Sequence, residues 1–162
     1  RDFQSLKPAF LRDPLNGYEL WTFKQTMNLL KDSIQFSRDM ASLNWKIQIW
    51  AALYPLPQLL GGIYFAREIP GFVILMGRIL SFIIHSQVHR VKPFSKLIGP
   101  IGHAHWLLIL PYLIYILILD PVREPFYWFI AYVVTLSSIS MVIDLYEVIR
   151  YFERGDASYQ RE

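Results

Sequence analysis

The sequence predicts an all-α integral membrane protein: four transmembrane helices in an antiparallel bundle, preceded by an amphipathic interfacial helix. Three observations carry that reading. Four stretches reach the roughly 20 mostly apolar residues that a helix needs to cross a hydrocarbon core about 30 Å thick. Charges avoid these stretches: 11 of the 29 charged residues fall in the 103 positions from Ile47 to Ile149, and 18 fall in the 59 flanking positions. The basic residues gather on one side of the four stretches.

Composition agrees. The chain has 162 residues, 54% apolar, 16% aromatic and 18% charged, whereas a soluble domain averages about 25% charged. This argues against a soluble enzyme and against a disordered chain. With no cysteine, a disulfide-stapled module, an iron–sulfur cluster and a thiolate zinc site are excluded. The net charge of +3 suits anionic headgroups and requires no nucleic acid.

Residues 1–20 read as an irregular cytoplasmic segment, because Lys7 to Tyr18 is rich in turn formers. Residues 21–43 read as the amphipathic interfacial helix. At 100° per residue, Lys24, Lys31, Asp32, Arg38 and Asp39 fall within about 120° of arc. Phe23, Met27, Leu30 and Ile34 form one apolar stripe, and Leu29, Phe36, Met40 and Leu43 form another. Two stripes exceed what lipid alone needs, which leaves two readings: a plain membrane-surface anchor, or one stripe docking a partner protein or a second copy, with Phe23, Met27, Leu30 and Ile34 as the candidate partner or lipid contacts.

Residues 44–150 form the four-helix domain, with spans Ile47 to Ala66, Gly71 to His89, Ile101 to Leu119 and Phe126 to Ile149. Proline and glycine mark the boundaries, and connections this short make consecutive helices antiparallel neighbours. Of the 16 basic residues, 13 precede span one, follow span two or follow span four. Both termini are therefore expected in the cytoplasm, with 151–162 as a cytoplasmic tail, and the first span is expected to act as the insertion signal. Trp45, Trp50, Trp106, Trp128, Tyr64, Tyr127 and Tyr151 lie near span ends and suit the aromatic belt. Pro55, Pro57 and Pro111 predict kinks whose freed carbonyls need other donors.

Polar residues inside the spans are the candidate functional groups. His85 and His89, four apart, share one face of span two, and His103 opens span three. Asp144 and Glu147 reach a similar depth on span four. His85, His89, His103 and Asp144 could therefore ligate a transition metal, or a b-type haem could sit between His103 and His85 or His89. The plainer reading makes them interfacial structural histidines. Arg78 lies about 11 Å inside the outer end of span two and needs a partner. Hydroxyls of Thr135, Ser137 and Ser138, carbonyls near Pro111, a lipid headgroup or water suit it better than Asp144, which is about 13 Å farther in. Ser137 and Ser138 also belong to a small-hydroxyl patch suited to close helix packing.

Phe94-Ser95-Lys96-Leu97-Ile98-Gly99, Gly102-His103, Trp106, Ile143-Asp144, Glu147-Val148-Ile149-Arg150-Tyr151 and Gly155-Asp156 resemble a family of small uncharacterised four-span bacterial inner-membrane proteins. The resemblance covers spans one to four and not the first 40 residues. In that family the loop before the Gly-His pair is shorter by a residue, and His85 and His89 have no counterpart. The resemblance implies a bacterial inner (cytoplasmic) membrane and an Asp144 to Asp156 motif of unassigned role.

No nucleotide loop, nucleophile elbow, dinucleotide fingerprint or zinc-protease helix is present. The expected function is a non-catalytic accessory or scaffold subunit of a larger respiratory or photosynthetic membrane complex, with bound lipid and no cofactor. Two alternatives stand beside it: a metal-, haem- or quinone-binding protein built on the histidines, and a small homo-oligomeric channel or transporter using Gln58, Arg78 and Ser138.

Overall fold

The computed structural model describes residues 16–119 and 123–154, with side chains described except at 16–27, 46–47, 51 and 154. The described chain is helical, and no strand occurs among the described residues. Seven helices follow in order: α1 Asn16–Ala41, α2 Trp45–Leu53, α3 Pro55–Tyr64, α4 Ile69–Val91, α5 Ile98–His103, α6 Trp106–Leu119 and α7 Phe126–Arg154. Two of them, α4 and α7, are long and apolar enough to cross a membrane, with mean hydropathies of 1.7 and 1.8 over their most apolar windows. That is two single helices where the sequence predicts four.

The difference has a local cause at each site. Predicted span one divides at Tyr54 because Pro55 and Pro57 carry no N–H to continue the ladder. Tyr54 itself keeps right-handed helical dihedrals (φ −81°, ψ −59°). The carbonyl of Leu53, which Pro57 cannot reach as a donor, accepts the phenol of Tyr132 from α7 at 2.5 Å. Predicted span three starts earlier, at Ile98, and divides at Ala104 and His105, leaving α6 with 14 residues around an internal Pro111. Span two extends by two residues at each end, from Ile69 to Val91, and span four runs on to Arg154.

Two further boundaries move. The front helix begins at Asn16, so 16–20 is helical rather than irregular; 1–15 lies outside the described residues. Residues 151–154, expected in a tail, complete α7, while 155–162, including Gly155 and Asp156, lie outside the described residues.

The apolar core joins α4, α6 and α7 through Ile74, Trp106, Leu110, Leu113, Ile116, Phe126, Ile130 and Val133. Against this core, Phe65 packs on Phe126 and Phe129 with ring centroids 4.6 and 5.2 Å away. Gly61 allows this, since a Cβ there would enter the Phe129 ring.

Helix α1 docks on the last third of α4. Phe36 is buried against Phe82 and His89, with centroids 5.9 and 5.4 Å away. Asp32 accepts from Arg90 at 3.1 Å, and Asp39 accepts from His89 at 2.9 Å. Ser33 Oγ donates to Ser86 Oγ at 3.3 Å, so the contacts of α1 run along α4 from Phe82 to Arg90.

Candidate functional site

A buried arginine organises the interior. Arg78 is 4% exposed, and four elements supply its surroundings. From α3, Gln58 Oε1 accepts from Arg78 Nε at 2.5 Å. From α7, Ser137 Oγ accepts from Nη2 at 3.3 Å. The rings of Tyr54, at the break between α2 and α3, and Trp106, opening α6, lie 4.0 and 4.1 Å from the guanidinium carbon. A guanidinium is planar and weakly hydrated, so desolvated aromatic faces hold it well, worth about 2 kcal/mol each at best. Among the described residues no carboxylate pairs with Arg78.

Sequence reasoning expected hydroxyls at Arg78, and Ser137 supplies one. Ser138, one residue on and turned away by 100° of helix, does not bond it. Gln58 was considered only as a channel residue, and the two aromatics were missed. Trp106 was expected at the membrane interface, but it is fully buried and its Nε1 donates to Ser81 Oγ at 3.0 Å. The Ser81 oxygen also lies 3.2 Å from His105 Nε2, which donates to the Gly77 carbonyl at 2.9 Å.

A second group adjoins the first through Tyr54. Its ring meets His103 edge-on, with centroids 5.5 Å apart. His103 Nδ1 donates to Asp144 Oδ2 at 2.7 Å, tying α5 to α7. His85 packs perpendicular to His103 with centroids 4.7 Å apart. Two glycines make this approach feasible: a Cβ on Gly102 would strike the His85 ring, and one on Gly99 would strike the Asp144 carboxylate. Gly99, Gly102, His103 and Trp106 thus meet Asp144, 38 or more positions away and also within the quoted motifs, around one region.

The four residues named as possible ligands divide. His103 and Asp144 bond each other, and His85 meets His103 edge-on. His89 turns to α1, with Nε2 donating to Asp39 and Nδ1 accepting from the Phe94 N–H at 3.4 Å, which places the ring proton on Nε2. Among the described residues no group of three or more histidine or carboxylate side chains is placed to hold a metal ion. His89 and His103 are buried, at 4% and 8% exposure, and not at an open interface.

Of the front-end stripe, Leu30 and Ile34 are 64% and 46% exposed, whereas the side chains of Phe23 and Met27 lie outside the described residues. The second stripe is the docked one, with Phe36 and Leu43 buried. Comparison with protein-family models, with curated proteins and with solved structures returned no match.

Proposed function

We propose that this chain is a non-catalytic, four-pass membrane protein that serves as an accessory or scaffold subunit of a larger membrane assembly, with both termini on the cytoplasmic side. The observation that supports this is the placement of polarity. Gln58, Arg78, Ser81, His103, Ser137 and Ser140 are buried, while Leu60, Ile63, Phe72, Ile118, Val142 and Leu145 are exposed. Water favours the opposite arrangement; a lipid or protein surround favours this one.

The two broken segments support four passes. Residues 45–64 and 98–119 amount to about 30 and 33 Å of helical rise at 1.5 Å per residue, and Tyr54 and Ala104, at the breaks, keep helical dihedrals. Broken helices are tolerated at membrane depth where neighbours satisfy the backbone, as Tyr132 does for Leu53. The scaffold reading draws on how the interior is used: the charged and aromatic groups of the core are engaged with one another, which leaves the outward apolar faces as the surface for association. Purification through a C-terminal tag in mild detergent is expected to retain a stoichiometric membrane partner. A clean monomer that stays wholly in the membrane fraction would contradict the scaffold role.

A further inference from the structure

Helices α1 and α4 flank a shallow, open groove of about 430 Å³. Leu30, Ile34, Ala41 and Phe82 line it together with Ser33, Ser37 and Arg38. The Ser37 hydroxyl is already engaged, donating to the Ser33 carbonyl at 2.9 Å. The lining offers an occupant apolar contact and one cation.

The charges of α1 are sorted by direction. At 100° per residue, Lys31 and Arg38 point the same way, and Asp32 and Asp39 point about 100–120° away from Arg38. Both aspartates face α4 and are bonded there, to Arg90, Gln87 and His89. Lys31 and Arg38 are exposed and take no hydrogen bond or ion pair among the described residues. The outer surface of α1 beside the groove is thus cationic, with its two described carboxylates turned to bonds on α4. Phe82, which also packs on Phe36 of α1, lines the same groove as Arg38.

We infer that this groove binds one anionic phospholipid, an acyl chain lying between α1 and α4 and the phosphate on Arg38. This rests on the membrane reading above and is independent of the scaffold role. A guanidinium suits phosphate because its forked donors match two oxygens. A juxtamembrane cation contributes about 1 kcal/mol towards an anionic surface, and the groove adds a fixed seat to that general attraction.

The test is native mass spectrometry of the full chain from mixed micelles holding equimolar phosphatidylglycerol and phosphatidylcholine of identical acyl chains. Wild type is expected to retain one phosphatidylglycerol with about fivefold preference, the roughly 1 kcal/mol above converted at 1.4 kcal/mol per tenfold. Arg38→Gln is expected to abolish the preference, Arg38→Lys to keep part of it, and Ser37→Phe to expel both lipids by filling the groove. Arg67→Gln, in the connection between α3 and α4, should leave retention unchanged. Equal retention of the two lipids by wild type, undiminished preference in Arg38→Gln, or a partner protein's helix cross-linking into the groove would overturn the proposal, even where a stoichiometric partner is still captured. A chain that stays dissolved without detergent would overturn the membrane reading as well.

Discussion

The phenol of Tyr132 donates to the backbone carbonyl of Leu53 across 2.5 Å, 79 residues away in sequence. Pro57 leaves that carbonyl without its helical donor, so a side chain of α7 closes a gap that proline opens in the first apolar segment. Tyr132→Phe keeps the ring and removes only this bond. The expected cost is about 1 kcal/mol, read as a thermal midpoint in detergent lowered by about 2–4 °C.

Arg78 and Gln58 form the next pair. Gln58→Leu leaves the guanidinium Nε buried without its acceptor, and losing a hydrogen bond to a charged group costs about 1.5–3 kcal/mol. Replacing both, with Arg78→Met and Gln58→Leu together, removes the charge that needed satisfying. The double variant is expected to be more stable than Gln58→Leu alone, a coupling of about 1–3 kcal/mol in a double-mutant cycle. Additive losses would show that the contact carries no energy.

Gly102 faces the His85 ring so closely that a methyl group has no room. Gly102→Ala is expected to lose about 1–3 kcal/mol through overpacking. His85→Ala should restore much of that loss in the Gly102→Ala background, which identifies the collision and not helix propensity as the cause, since alanine is the better helix former.

Asp39 holds α1 onto α4 through His89. Removing a bond to a charged group costs about 1.5–3 kcal/mol, so Asp39→Ala should raise the open population of α1 by about tenfold or more. The measurement is the rate of limited proteolysis between Leu43 and Trp45, with Gln35→Ala as a mild control because it removes an exposed bond.

Much of the helical layout was legible because it rests on composition and period. The apolar runs at 71–89 and 126–149 became α4 and α7 with small boundary changes, whereas the docking of Phe36 from the second front-end stripe onto this chain's own α4 was not foreseen. Proline placement announced the trouble in the first and third segments. It did not announce a full division of each helix, because whether a missing hydrogen bond bends a helix or ends it depends on neighbours such as Tyr132.

The polar interior was less legible. Arg78 could be recognised as needing partners, and a hydroxyl on α7 was foreseen, but the partners that define its setting are Tyr54, Gln58 and Trp106. An aromatic near a span end reads the same whether it faces headgroups or a buried guanidinium. The pairing of His103 with Asp144 needed the register of α5 against α7, and the turn of His89 towards Asp39 needed the docking of α1 on α4. Neither relationship leaves a local pattern, since each joins residues 41 or more positions apart.

The absence of native cysteine makes one experiment decisive for four passes with cytoplasmic termini. Single cysteines replacing Glu68, Lys92, Glu124 and Glu153 are labelled in sealed cells with a membrane-impermeant maleimide. Glu68→Cys and Glu124→Cys should react from outside, and Lys92→Cys and Glu153→Cys only after permeabilisation. Labelling of Glu68→Cys and Lys92→Cys from the same face would contradict the account.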